Sequence, residues 1–324
     1  MSPEFLRALQ NKVDWSLRDA MARALAELAP PGPAAPPAEP ALVEALRRDG
    51  LCKAPGALSP SRCAEALRYF ESTPCHAGHV PAASDGVARP PAETARLSTY
   101  GSYRLEQSLA APHLVELALQ PAILGLAAAY LGCLPLLYSV NTFWTFPGEA
   151  AGMTHGFHRD EDDYRFLAVF VYLTDVEPGE GEFYFIDGTH NVQTVGIRIR
   201  PRWLKRVLPF QKPDVASDAE EFRRLSNGNG YGHDAFYERR FSRYIRRVAG
   251  PAGTAFMADT FGLHRGTPPR SRARLVSWFR YGLYENVAYR ADRTEPVPAS
   301  RLEGRVAGDA LARAASRLVL DWTR

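Results

Sequence analysis

The apolar positions near the start of the chain recur at spacings of four and three: Phe5, Leu9, Val13, Leu17, Met21, Leu25 and Leu28. That stripe predicts an amphipathic helix over residues 3–28, and Pro3 suits its first turn. The run Pro30-Pro31-Gly32-Pro33-Ala34-Ala35-Pro36-Pro37 then reads as a stiff polyproline-type linker. The helix is therefore an appendage, free to pack on the body, pair with another chain or lie on a membrane surface. Acidic residues interleave with the basic ones, which favours packing or pairing over a membrane role. Ser59-Pro60 marks a second helix start, with Leu58 and Cys63 placed as a hydrophobic staple. Residues 73–95, rich in Pro, Ala, Gly and Ser, read as a loop, and residues 112–132 as a helix.

From residue 136 the period changes. Strands are predicted over residues 136–146, 166–173, 182–186, 253–258 and 272–282, separated by Gly/Pro turns such as Glu177-Pro178-Gly179-Glu180-Gly181. The nearly unbroken apolar run Phe166-Leu167-Ala168-Val169-Phe170-Val171-Tyr172-Leu173 suits a strand buried on both faces. Short strands with such turns predict a mainly β protein with flanking helices, a sandwich or barrel rather than βαβ units. Neither GxGxxG nor GxxxxGK[ST] occurs, so a nucleotide-binding α/β fold is poorly supported. Residues 308–320 predict an amphipathic helix packed on the outer sheet. The expected organisation is an N-terminal helix over 1–29, a linker over 30–40, a β-rich domain over 41–290 and a helical extension over 291–324.

Composition narrows this only a little. The 324 residues are 46% hydrophobic and 23% charged, as in an ordinary globular protein, and a net charge of +3 gives no reason to expect nucleic acid. No signal-peptide h-region or membrane span is evident, and four cysteines without a CxxC fit a reducing, cytoplasmic setting. Charge is concentrated in an insertion over residues 198–247, where 13 Lys/Arg against 6 Asp/Glu leave +7, more than the whole chain carries. Such a run is commonly a solvated helical face. It would equally serve as a cap drawing in an anionic substrate: a phosphate, a carboxylate, an acyl carrier or an anionic lipid.

The candidate chemistry lies in Thr154-His155-Gly156-Phe157-His158-Arg159-Asp160-Glu161-Asp162-Asp163, just before the apolar strand. In extended chain, His158 and Asp160 point to one side. With His264 they would form a 2-His-1-carboxylate face, leaving the opposite side of a metal open. His155 competes as a ligand, through an i, i+3 helical pair, but Gly156 and the following strand argue against a helix there. The acidic run 161–163 is expected to face solvent or orient arginines. Cys75-His76-x-x-His79 lacks further ligands nearby and reads as part of the loop, and His190 reads as a turn residue. Arg274 opens the last strand and suits a carboxylate, although Arg272 and Arg280 share its face by alternation.

At these residues the chain resembles the phytanoyl-CoA dioxygenase family of iron(II)/2-oxoglutarate-dependent oxygenases. The resemblance rests on Arg47-Arg48-Asp49-Gly50-Leu51 with the Leu58-Ser59 helix start, on His158-Arg159-Asp160, and on Val171-Tyr172-Leu173-Thr174-Asp175 with Gly179-Glu180-Gly181. It rests also on Asp187-Gly188-Thr189-His190 and on the stretch from Asp259 to His264 with Arg274. It spans roughly residues 41–285 in scattered motifs. It implies a double-stranded β-helix (jelly roll, cupin-like), iron held by His158, Asp160 and His264, and 2-oxoglutarate anchored by Arg274. It implies a reaction with O2 that releases succinate and CO2 and by default hydroxylates an unactivated C–H bond. The presence of Asp160 disfavours the halide-binding variant. Where the family often has Asn and Ser after the distal histidine, this chain has Gly266-Thr267-Pro268-Pro269.

The expected function is hydroxylation of a small, anionic or carrier-bound metabolite. Rival readings are a cupin-like metalloenzyme without 2-oxoglutarate, which would not need Arg274, and a non-catalytic β-barrel binding protein using its basic insertion. Nucleic-acid demethylation has only that insertion behind it. An oligomer through the N-terminal helix and a peripheral membrane contact stay open.

Overall fold

Eleven strands build two antiparallel sheets in a computed structural model that describes residues 15–148, 155–191, 234–283, 295–302, 304–306 and 308–323. In chain order they are β1 (Leu51–Lys53), β2 (Cys75–Ala77), β3 (Ala88–Arg89), β4 (Tyr100–Ser102), β5 (Leu136–Thr145) and β6 (Phe166–Tyr172). Then follow β7 (Phe183–Ile186), β8 (Ile245–Val248), β9 (Ala255–Ala258), β10 (His264–Gly266) and β11 (Arg274–Gly282). The larger sheet has the order β1-β9-β6-β11-β5-β4-β2-β3 and the smaller β10-β7-β8. The two sheets and their flanking helices form a mainly β, jelly-roll core.

Alternation explains why β6 and β11 read as continuous apolar runs. Leu167, Val169, Val171, Leu275, Phe279 and Tyr281 enter a core shared with the helices. Tyr172, Val276 and Trp278 join Phe183, Phe185 and Phe256 between the sheets, with Phe170 packed against them. Both faces are thus covered, and each fully buried large side chain contributes about 1.5–3 kcal/mol. On the far side of the small sheet, the helix Asp234–Phe241 seats Tyr237 and Phe241 against Phe157, Tyr184 and Ile186. That helix and β8 are the described end of the basic insertion; residues 192–233, which carry most of its charge, lie outside the described residues.

Several expectations stand in the helices. Ser59 caps the helix Pro60–Ser72, its Oγ accepting from the Arg62 amide at 3.4 Å, and Leu58 and Cys63 are both buried. The helix Ala310–Ser316 starts at Asp309, whose carboxylate accepts from the Ala312 amide at 2.7 Å, and it packs near β5. Two expectations need correcting. The helix over 112–132 is two helices, Leu114–Ala118 and Pro121–Leu131, because Pro121 starts a new one and forces Gln120 extended at ψ 132°. Residues 73–95 are not one loop: β2 and β3 lie there and extend the large sheet beyond β4. Strands of two or three residues have too few positions to display an alternation.

The N-terminal helix spans Trp15–Leu28 in the described chain; the predicted residues before it lie outside. It packs on the body. Ala22 and Arg18 are buried, while Leu17, Met21 and Leu28 stay exposed. Arg18 donates to the Asp163 carbonyl, and its guanidinium lies 3.8 Å from the centroid of the Phe261 ring. The helix therefore touches both segments that carry the candidate ligands. Arg18→Ala is expected to cost about 1–2 kcal/mol, the sum of a cation–π contact and a hydrogen bond to a charged donor. A lower urea midpoint at unchanged slope would report it, and an unmoved midpoint would mean the helix is not docked there.

Candidate metal centre

Two extended segments meet at the mouth of the smaller sheet. The His158 amide donates to the His264 carbonyl at 2.9 Å and the His264 amide returns the bond to His158 at 3.0 Å. Two residues on, the Asp160 amide donates to the Thr260 carbonyl at 2.9 Å. This short ladder brings together side chains that are about a hundred positions apart in sequence. His158 Nε2 lies 3.9 Å from Asp160 Oδ1, and His264 Nε2 lies 3.7 Å from Asp160 Oδ2. One ligand atom from each of the three falls within 4.8 Å of the others, the one such group found among the described residues. Metal–ligand bonds of about 2.0–2.2 Å would fit between them after a slight closing of the side chains.

Tautomers favour the same use. His158 Nδ1 sits 2.9 Å from the Gly156 carbonyl, and His264 Nδ1 sits 2.9 Å from the Gly262 carbonyl. A carbonyl can only accept, so each Nδ1 carries the proton. Each neutral ring is then left with a lone pair on Nε2, aimed at Asp160. Backbone partners of this kind fix the orientation of metal-binding imidazoles.

The Asp160 side chain is 15% exposed, and its partial burial by itself would raise its carboxyl. The Arg280 guanidinium, with the imidazoles when they are protonated, outweighs burial and holds it well below the usual carboxylate range. Arg280 donates to Asp160 Oδ2 at 2.9 Å and also to Asp162, whose Oδ2 accepts from the Tyr138 hydroxyl at 2.7 Å. Below it lies the Trp278 ring, 4.0 Å from the guanidinium carbon.

These residues open into a pocket of ≈ 610 Å³, its mouth included, between the two sheets. Phe170, Phe183 and Phe256 form one wall, with centroids 5.0 Å apart, and Phe183 stacks on His264 at 5.5 Å. Arg274 is buried in the same pocket. It donates to the Gly181 carbonyl and, at 2.9 Å, to Thr145 Oγ1, while its Nε has no partner among the described residues. Unused donors on a buried guanidinium are costly unless an anion completes the site. Of the three arginines that alternation left open, Arg272 is exposed outside the strand, and Arg280, whose Nε also has no partner among the described residues, is bound through its other nitrogens to two carboxylates, Asp160 and Asp162, where Arg274 has none.

The remaining sequence candidates fall into place around the triad. His155 stays out of the group: its Nε2 pairs with the Tyr100 hydroxyl at 2.6 Å. His190 is a turn residue whose Nε2 donates to the Arg47 carbonyl at 3.2 Å. The acidic run does not face solvent as a whole. Asp162 and Asp163 are buried, and Asp163 accepts from the amides of Tyr164 and Leu283 at 2.6 and 2.8 Å. In the Cys75-His76-x-x-His79 motif, His76 is a buried strand residue accepting from Arg104 Nε at 3.1 Å. His79 lines the pocket, its ring 5.3 Å from both Tyr100 and Phe143. The sequence reading missed His79, Tyr100 and Thr145; the C-H-x-x-H spacing was the one signal that pointed near any of them.

Burial, helped by neighbouring guanidiniums and imidazoles, pushes three imidazoles down: His79 and His155 to about 4 and His264 to about 3. In the unfolded chain they would titrate near 6.5. As pH falls below about 6.5, the unfolded state takes up protons that the folded state refuses, so stability is full above that pH and drains away toward pH 4. Asp163, whose carboxyl burial pushes up to about 7, acts in the opposite sense and offsets one of the three, so the chelator-treated protein should show a melting temperature that is level above neutrality and falls on balance through this window. His79→Phe should make the fall shallower; a melting temperature flat from pH 7 to about 4 would contradict the assignment.

No family model matches the chain, and no curated protein matches it by sequence. Solved structures do match. The non-heme alpha-ketoglutarate-dependent carbocyclase SnoK from nogalamycin biosynthesis is 18% identical, over 75% of this chain and 83% of its own, at a TM-score of 0.40. AviO1 from Streptomyces viridochromogenes Tue57 is 15% identical, over 74% and 93%, at 0.41. EctD from S. alaskensis, solved with 2-oxoglutarate and 5-hydroxyectoine, is 17% identical, over 75% of both chains, at 0.44. Among the described residues, no helix is long and apolar enough to cross a membrane.

Proposed function

We propose that this chain is an iron(II)- and 2-oxoglutarate-dependent oxygenase of the phytanoyl-CoA dioxygenase type, hydroxylating a small or carrier-bound metabolite. One observation carries the reading: two imidazoles, each with Nδ1 spent on a backbone carbonyl, converge with Asp160 on one side of a pocket that also contains an incompletely paired arginine. Two neutral nitrogens and one carboxylate suit a divalent first-row metal and leave open coordination positions. With iron and 2-oxoglutarate bound there, O2 would be the oxidant: one of its oxygen atoms would go into succinate as 2-oxoglutarate loses CO2, and the other into the C–H bond.

The side chains have separable tasks in this reading. His158, Asp160 and His264 hold the metal. Arg274, steadied by Thr145 and the Gly181 carbonyl, receives the distal carboxylate of the cosubstrate. The Thr145 hydroxyl is the side-chain oxygen already fixed to this anchor, and Gly266 lines the pocket without adding another. The phenylalanine wall excludes water and receives an apolar part of the substrate. An anionic group on the substrate would suit the net positive charge of the basic insertion.

Product analysis tests the reading. With iron(II), oxygen and 2-oxoglutarate, the protein should form succinate from 2-oxoglutarate slowly on its own and faster with its substrate. Turnover of a substrate at full rate without 2-oxoglutarate would instead favour a cupin-like metalloenzyme of another class. A metal-binding protein that leaves 2-oxoglutarate unchanged under every condition would favour a binding module.

A further inference from the structure

Arg280 is more elaborately held than a counter-ion requires. It stands on the pocket face of β11, two residues beyond Trp278, and its fork spans two carboxylates. One is Asp160. The other, Asp162, is itself fixed by the Tyr138 hydroxyl at 2.7 Å, and the guanidinium carbon lies over the Trp278 ring, 4.0 Å from its centroid. Three contacts therefore fix where Arg280 meets Asp160, and it meets Oδ2 at 2.9 Å.

That choice of oxygen has a chemical consequence. Asp160 presents both oxygens to the space between the imidazoles, Oδ1 at 3.9 Å from His158 Nε2 and Oδ2 at 3.7 Å from His264 Nε2. A carboxylate so placed can bind a metal through one oxygen or through both. Binding through both would fill a position that a chelating cosubstrate or oxygen needs. A charge-assisted hydrogen bond from a rigid fork holds one oxygen back.

We infer that Arg280 is a positioning residue: by occupying Oδ2 of Asp160 it leaves Oδ1 alone to the metal and keeps a coordination position open for a two-oxygen chelate. The inference rests on the oxygenase reading above. It assigns Arg280 a task distinct from that of Arg274, the anchor at the other end of the same strand face.

The test separates binding of the metal from binding of the chelate. Arg280→Met removes the donor but keeps bulk over Trp278. Arg280→Met/Asp162→Asn removes the second buried charge as well and guards against misfolding, with the circular-dichroism melt as the check. Iron(II) affinity is measured anaerobically by competition with a chromophoric chelator. The affinity of the iron-loaded protein for 2-oxoglutarate is then read from the visible charge-transfer absorption. Expected are iron(II) binding within about tenfold of the wild type, because removing a cation beside the metal offsets the loss of an outer-shell partner, 2-oxoglutarate binding weakened by about 10–100-fold, and partial rescue by Arg280→Lys. Wild-type 2-oxoglutarate affinity in the folded variants overturns the inference. So does a parallel loss of iron and 2-oxoglutarate binding, which is the mark of a merely structural residue. A wild-type protein that binds no iron(II) at all removes the oxygenase reading, and the inference with it.

Discussion

Asp160→Ala is expected to weaken iron(II) binding by more than about 100-fold, because loss of an outer-shell partner alone costs roughly 10–100-fold and Asp160 is an anionic ligand itself. The physical reason is visible in the charge balance. With the carboxylate gone, the metal would face two neutral imidazoles and the Arg280 guanidinium, which Asp160 now neutralises in part. Arg280 would keep its bond to Asp162, so the strand should stay in place and the loss should be one of affinity rather than of fold. Equilibrium dialysis of iron(II), or competition with a chelator, measures it directly. His264→Ala should behave alike. An Asp160→Ala protein that holds iron(II) as the wild type does would mean that the three side chains are not the ligand set.

Arg274→Ala should leave iron(II) binding nearly unchanged and lower the affinity for 2-oxoglutarate by about 2–4 kcal/mol, roughly 30- to 1,000-fold. Removing one partner of a buried, charge-assisted pair leaves the other charge unmatched, and a carboxylate in this pocket has few replacements. The Thr145 hydroxyl and the Gly181 carbonyl, which now accept from Arg274, would lose their partner rather than substitute for it. Arg274→Lys should recover part of the affinity but not all, since an ammonium cannot make the two parallel bonds of a guanidinium. Titration of the iron-loaded variant with 2-oxoglutarate gives the number. A change below about threefold would move the anchor to another residue, and Arg280 would be the first to consider.

Much of this was legible in the chain, for identifiable reasons. The strands β5, β6 and β11 announce themselves because each is long enough to show its period and because burial on two faces leaves few polar residues. The convergence of the candidate trio was legible because His158 and Asp160 sit two apart in extended chain, a spacing that fixes their common side before the partner strand is known. The partner, His264, needed only to be a histidine after another strand.

What was illegible depends on contacts between distant segments. Alternation puts Arg274 and Arg280 on one face and cannot rank them; their surroundings separate only when Asp162, 118 positions from Arg280, is seen to hold the latter. By sequence, Asp162 and Asp163 face solvent or orient arginines; Asp162 does the second, holding Arg280, while the burial of both follows from Tyr138 and the Leu283 amide, which sequence proximity does not suggest. His79 belongs to a motif that was noticed, but β2 is three residues long, too short to signal that the chain there re-enters the sheet and delivers a ring to the pocket.

The whole account turns on an iron atom sharing three side chains and still having room for a chelate. Anaerobic titration of the metal-free protein with iron(II) and then 2-oxoglutarate, followed by visible absorption, addresses that claim most directly. The predicted result is a weak metal-to-ligand charge-transfer band that appears only with both components, saturates at one iron per chain and is lost in Asp160→Ala. No band in the wild type, or an undiminished band in Asp160→Ala, would contradict it.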